Sequence, residues 1–150
     1  MRIPNSFVTR FTQASDLKLA CVFYSLIHKN TKRNLLGYEI TVKQTTLVSL
    51  CGFSVSTVKR AASSLLKSGF IKSQKRQTNA PGKLGTYTYT IEAVSTASKY
   101  FTMDKKLMSR LNGNEFRVYT MCCKLADSSH KSFFQSYNDP VSYTHLRAHE

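Results

Sequence analysis

The residues of this chain best suited to chemistry lie in one stretch, 40–91, which carries eight lysines and arginines and no carboxylate. Within it, residues 41–60 read as helix, glycine turn, helix, with Gly52 at the turn. A helix–turn–helix exposes one helical face, and a face of hydroxyls and cations without acids is suited to phosphate and to the edges of bases. On the second helix the candidates for base edges are Val55, Ser56, Thr57, Lys59, Arg60 and Ser63. Hydroxyls donate or accept at several bases, Val55 fits a thymine methyl, and a lysine or arginine pairs with guanine acceptors or meets phosphate. Lys43, Gln44 and Thr45, where the preceding helix begins, are candidates for phosphate contact, as are Lys72, Lys75, Arg76 and Lys83 further on.

Other chemistries find little support. The eight carboxylates are scattered without a paired acid and base, no glycine-rich phosphate loop is present, and no serine or cysteine nucleophile sits in a recognisable setting beside a histidine. No enzyme activity and no cofactor are expected. Cys21, Cys51, Cys122 and Cys123 lack paired zinc spacing and read as buried reduced thiols, while His28 and His130 read as helix-end or surface residues. His145 and His149 are four apart beside Glu150, but no metal site is expected there.

The net charge is +14, and residues 1–100, with fifteen basic against three acidic residues, hold +12 of it. Such a field favours nucleic acid or an anionic surface. No apolar run approaches the ~20 residues of a membrane span, and the first residues lack the apolar stretch of a signal peptide, so a cytoplasmic protein is expected.

The positioning elements follow from periodicity. Ser15-Asp16 reads as the cap of a scaffold helix running to His28, with Leu19, Val22, Phe23, Leu26 and Ile27 apolar. Residues 34–41 suit a short strand, with Thr41 capping a helix over 42–51 that turns Leu47 and Leu50 inward. Gly52 ends that helix and Phe53 fills the turn. Ser54 caps a third helix to Ser68, whose buried stripe is Val58, Ala61, Ala62 and Leu65, and Gly69 stops it. Two strands, 70–77 and 86–91, form a hairpin with a basic edge, and Tyr87 and Tyr89 read as packing residues on one face. Lys29, Lys32 and Arg33 read as a solvated helix end.

This order, with Gly52-Phe53-Ser54-x-x-Thr57-Val58-x-Arg60 followed by Leu65 and Gly69-Phe70-Ile71, resembles the winged helix-turn-helix family over about residues 15–91. The resemblance implies an α+β fold, a three-helix core with a β-hairpin wing, and places Thr57 and Lys59 at a DNA surface. Where many members carry a basic residue after the capping serine, this chain has Val55.

A second copy is expected to begin after residue 100. Phe7-Val-Thr-Arg-Phe11 matches Leu107-Met-Ser-Arg-Leu111 at a shift of 100, and Asp16-Leu-Lys-Leu19 matches Glu115-Phe-Arg-Val118 at a shift of 99. The expected organisation is a winged-helix domain over 1–91, a linker over 92–100, and an incomplete, mainly helical winged-helix-like unit over 101–139. Residues 140–150 are expected to be a non-native tail, because the last decapeptide resembles sequencing-adapter read-through, and the native chain is expected to diverge near Pro140. Tandem winged helices resemble replication initiators and regulators of plasmids, phages and conjugative elements. Sequence-specific binding of double-stranded DNA is therefore expected, in replication or transcription, with host replication or transcription proteins and a second copy of the chain as further partners and no membrane. The alternatives are the DNA-binding part of a truncated recombinase or other larger enzyme, and a winged-helix protein-interaction module.

Overall fold

A computed structural model describes residues 1–77, 85–94 and 99–129, and these form a mixed α+β fold. At its centre lies α2 (Ala14–Ser25), in which every residue from Asp16 to Phe23 is buried, so it is covered on all sides and shows little amphipathy. Ser15 does not cap it. Gln13 holds the cap position with an extended backbone and makes no side-chain cap bond, while Asp16 lies in the first turn, where the helix dipole favours a carboxylate. The helix stops at Ser25, short of His28. Ser25 Oγ donates to the Val22 carbonyl at 2.6 Å, a local bond that competes with continuing the helical ladder.

Thr41 is likewise no cap. It lies within β2 (Gly37–Lys43), because β4 (Thr86–Glu92) pairs along the whole of that segment, Thr41 opposite Thr88 and Lys43 opposite Thr86. The helix that follows, α3 (Gln44–Cys51), therefore begins two residues later than its sequence suggests, and the Gln44 amide donates to the Gly85 carbonyl at 2.8 Å. Leu47 is buried and Leu50 half-buried. Gly52 ends α3 in the left-handed region at φ 70°, and α4 (Val55–Ser68) follows after Phe53 and Ser54. Here the local signals act as read: Ser54 Oγ accepts from the Thr57 amide at 3.3 Å, the stripe Val58, Ala61, Ala62 and Leu65 is buried, and Gly69 closes the helix at φ 86°.

β3 (Ile71–Arg76) runs antiparallel to β4, giving a sheet of order β2-β4-β3 with a register irregularity between Ile71 and Ser73. Hydroxyl and amide side chains tie its strands together: Thr88 Oγ1 lies 2.9 Å from Thr41 Oγ1 and accepts from Gln77 Nε2 at 2.6 Å. The tip before β2 presents Leu35 and Leu36 to solvent and is held by Asn34 Oδ1, which accepts from the Leu36 and Gly37 amides.

Two elements precede α2 that sequence periodicity does not predict, β1 (Arg2–Pro4) and α1 (Ser6–Arg10). β1 pairs antiparallel with β5 (Tyr100–Thr102), Ile3 opposite Phe101. A 3-10 turn (Lys105–Met108) and α5 (Gly113–Ser129) come next, and Phe101, Met103, Met108 and Phe116 enter the same core as Phe7, Leu19 and Leu65. The segment expected to open a second unit thus shares one hydrophobic cluster with the first. The two stretches aligned in sequence also run in the same order, strand, short helix, long helix, and one pair of their hydrogen bonds is reciprocal. Lys18 donates to the Leu111 carbonyl while Arg117, its counterpart at a shift of 99, donates to the Phe11 carbonyl at 2.8 Å. Such exchange of equivalent contacts is the pattern of isologous pairing.

Candidate nucleic-acid interface

Three anchors aim α4. Its apolar stripe packs on α2, with Leu65 fully buried. On its flank Ser64 Oγ donates to Asp16 Oδ2 in the first turn of α2, a bond between a half-buried hydroxyl and a nearly buried carboxylate. At its N-terminus the turn is wedged from below: the Lys18 ammonium, itself with no solvent exposure, stands 4.6 Å from the Phe53 ring and 5.6 Å from the Phe116 ring while it donates to Leu111. Desolvation holds this lysine below its ordinary pKa, opposed by Cys51 and Glu115. Neither the burial of Lys18 nor the Asp16–Ser64 bond carries a signal in the sequence, where Asp16 reads only as part of a helix cap.

With the buried side fixed, the opposite side of α4 faces water. Val55, Ser56, Lys59, Arg60 and Ser63 are exposed and recur at helical spacing, so five of the six base-edge candidates share one face. The sixth, Thr57, is half-buried and engaged: its Oγ1 lies 2.9 Å from Ser54 Oγ, which is also 3.2 Å from Ser56 Oγ.

The phosphate candidates divide. Lys43 and Thr45 are exposed at the start of α3, and Gln44 is half-buried there, its amide bonded to Gly85. Across the sheet, register puts Arg76 opposite Tyr87 and Lys75 opposite Thr88 on β4, the strand that separates them from Lys43 on β2, so these cations lie toward the same end of the sheet. Lys72 stands apart at the other end, 3.7 Å from Glu92. Lys83 lies outside the described residues.

All three acids of the first hundred residues are engaged by other side chains. Glu92 pairs with Arg10 and Lys72, Glu39 with Lys32 at 3.3 Å, and Asp16 with Ser64. Among the described residues Lys43, Lys59, Arg60, Lys75 and Arg76 have no carboxylate partner. In the cluster after α2, Arg33 stacks over Tyr38 at 5.4 Å and Lys32 is paired, so that cluster is partly neutralised.

Tyr89 is buried against Phe23 with ring centroids 4.7 Å apart, and Tyr87 is half-buried beside it, so this face of β4 is core. Burial pushes the Tyr89 phenol and the Cys51 thiol up to about 12 each. None of the four cysteines forms a disulfide; Cys21 and Cys51 are buried and Cys122 and Cys123 half-buried. His28 is exposed and accepts from the Asn30 amide at 3.3 Å; His130, His145 and His149 lie outside the described residues. Among the described residues no cluster of three or more metal-ligating side chains occurs, and no helix is long and apolar enough to cross a membrane. No family model matches the chain, and no curated protein and no solved structure is significantly similar to it.

Proposed function

We propose that this chain binds double-stranded DNA as a winged helix-turn-helix protein, with α4 in the major groove, α3 across the backbone and β3–β4 as the wing. The observation that supports this reading most is the set of exposed cations left without a carboxylate partner. α4 turns Lys59 and Arg60 outward among hydroxyls, and Lys43, Lys75 and Arg76 likewise lack a carboxylate partner, while every acid of the first hundred residues is engaged by another side chain. Phosphate neutralisation supplies affinity on this reading, and Val55, Ser56, Lys59, Arg60 and Ser63 supply sequence preference. The role that fits best is initiation of replication or regulation of transcription on a mobile element, in line with the family resemblance.

The test is selection of duplexes from a random pool by the purified chain, followed by binding of the winner and of scrambled DNA across a salt series. A recovered motif bound at least a thousandfold above scrambled DNA supports specific readout. Failure to bind any duplex at low salt refutes the reading.

A further inference from the structure

The 3-10 turn after β5 and the C-terminal end of α3 line a common basin. Lys105 and Lys106 line one open basin of about 590 Å³ together with Ser49 and Leu50 of α3, Asp104, Ser109 and methionine side chains. Both lysines are exposed and, among the described residues, neither has a carboxylate partner. Asp104 is the one acid in the basin, and its Oδ1 is occupied as a cap, accepting from the Lys106 amide at 2.9 Å. The Asp104 amide in turn donates to the Tyr119 hydroxyl at 2.7 Å, tying the turn to α5. With Arg110 also exposed, residues 104–110 carry three cations against one acid.

The position of this turn relative to α3 is fixed by packing. A Cβ on Gly52 would lie 2.5 Å from the Ser109 carbonyl oxygen, so that backbone touches the α3–α4 turn, and Leu111 next to it receives the Lys18 hydrogen bond. Exposed positions on α3 form a row, Thr45 and Ser49, that leads from Lys43 at one end to Lys105 and Lys106 at the other. α3 has eight residues and so is about 12 Å long, which sets the reach between cations at its two ends.

We infer that Lys105 and Lys106 are phosphate-binding residues that extend the DNA contact past the far end of α3, onto backbone flanking the site that α4 reads. The inference rests on the DNA-binding reading above. It gives residues after the sheet a direct part in binding, and it makes α3 a bridge with cations at both ends.

The experiment compares the full chain with K105Q/K106Q and with K59Q/R60Q, measuring fluorescence anisotropy on a selected duplex over a salt series, hydroxyl-radical footprints and thermal melts. K105Q/K106Q is expected to melt like the parent, to lower the slope of log K against log salt by about 1.8, and to lose protection on one flank only. An unchanged slope and footprint in K105Q/K106Q, while K59Q/R60Q lowers affinity, overturns the inference and leaves the DNA-binding reading standing. If the parent chain binds no duplex, that reading falls and the inference with it.

Discussion

Replacing Gly52 with alanine tests whether the segment after β5 is packed into the turn between α3 and α4. Two costs are separable. Gly52 sits at φ 70°, and an L residue in the left-handed region costs about 1–2 kcal/mol. The added Cβ would also stand 2.5 Å from the Ser109 carbonyl oxygen and 3.2 Å from its carbon, so one backbone must move; overpacking of this kind costs about 1–3 kcal/mol. Gly69 supplies the control. Its φ is 86°, but nothing lies within 4 Å of a Cβ built there, so Gly69→Ala carries the backbone cost alone. Urea unfolding followed by far-ultraviolet circular dichroism should give Gly69→Ala a loss of about 1–2 kcal/mol and Gly52→Ala about 2–5 kcal/mol, with a common m value. Asparagine, which tolerates the left-handed region, should rescue position 69 more fully than position 52. Equal losses at the two positions would refute the packing of Ser109 against the turn.

Further outcomes follow from the same contacts. Leu65→Ala should cost about 2–5 kcal/mol in urea unfolding, because Leu65 is fully buried, and should reduce DNA binding only in proportion to folded protein. Lys59→Ala, at an exposed position, should leave the melting temperature nearly unchanged and weaken binding in a salt titration; the reverse pattern would overturn the assignment of α4's two faces. Ser64→Ala should lose about 1–3 kcal/mol by stranding the Asp16 carboxylate, and a double-mutant cycle with Asp16→Ala should show coupling, whereas additive losses would deny the bond. Stability should fall as pH rises from 9 to 12. Cys51, raised from 9.0 to about 12, and Tyr89, raised from 10.0 to about 12, stabilise fully below their unfolded values and lose that contribution as pH climbs through the folded ones. Lys18, lowered by burial, runs the other way, its contribution complete only above its ordinary 10.5, and it offsets part of the loss. Chemical melts at pH 8, 9.5 and 11 check the sign, and undiminished stability at pH 11 would contradict it.

α4 was legible from its residues because each signal that makes it is local: Ser54 three residues before the amide it caps, apolar positions three and four apart, glycine at its end. The six base-edge candidates came from the way a helix-turn-helix docks its second helix; five of them are exposed, and Thr57 is half-buried, drawn into the cap by the Ser54 hydroxyl. What failed to show depends on partners distant in sequence. Thr41 has the chemistry of a cap but lies in a strand because Thr88, 47 residues away, pairs with it. Arg2–Pro4 is too short to carry a pattern and becomes a strand only against Tyr100–Thr102. Nothing local marks Lys18 as buried, since a lysine rarely is, and it is buried because a carbonyl and two aromatic faces replace its water. Lys72 reads with the other basic residues of its strand until Glu92 is placed beside it.

The polar anchors have a consequence for how α4 is aimed. An apolar stripe of Val58, Ala61, Ala62 and Leu65 fixes which side of the helix is buried but leaves sliding along the axis cheap, since three of those four side chains are small. The Ser64–Asp16 bond fixes the axial position in the middle of the helix, and the Phe53 wedge over Lys18 fixes the turn before it. Two points along one rigid helix determine its direction. The second of them is shared with residues 109–116, through Ser109 against Gly52, Leu111 on Lys18 and Phe116 under the same ammonium. A change in residues 109–116 therefore reaches the exposed face of α4 through a chain of direct contacts, and the direction of Lys59 and Arg60 depends on residues that lie well over forty positions away in the sequence.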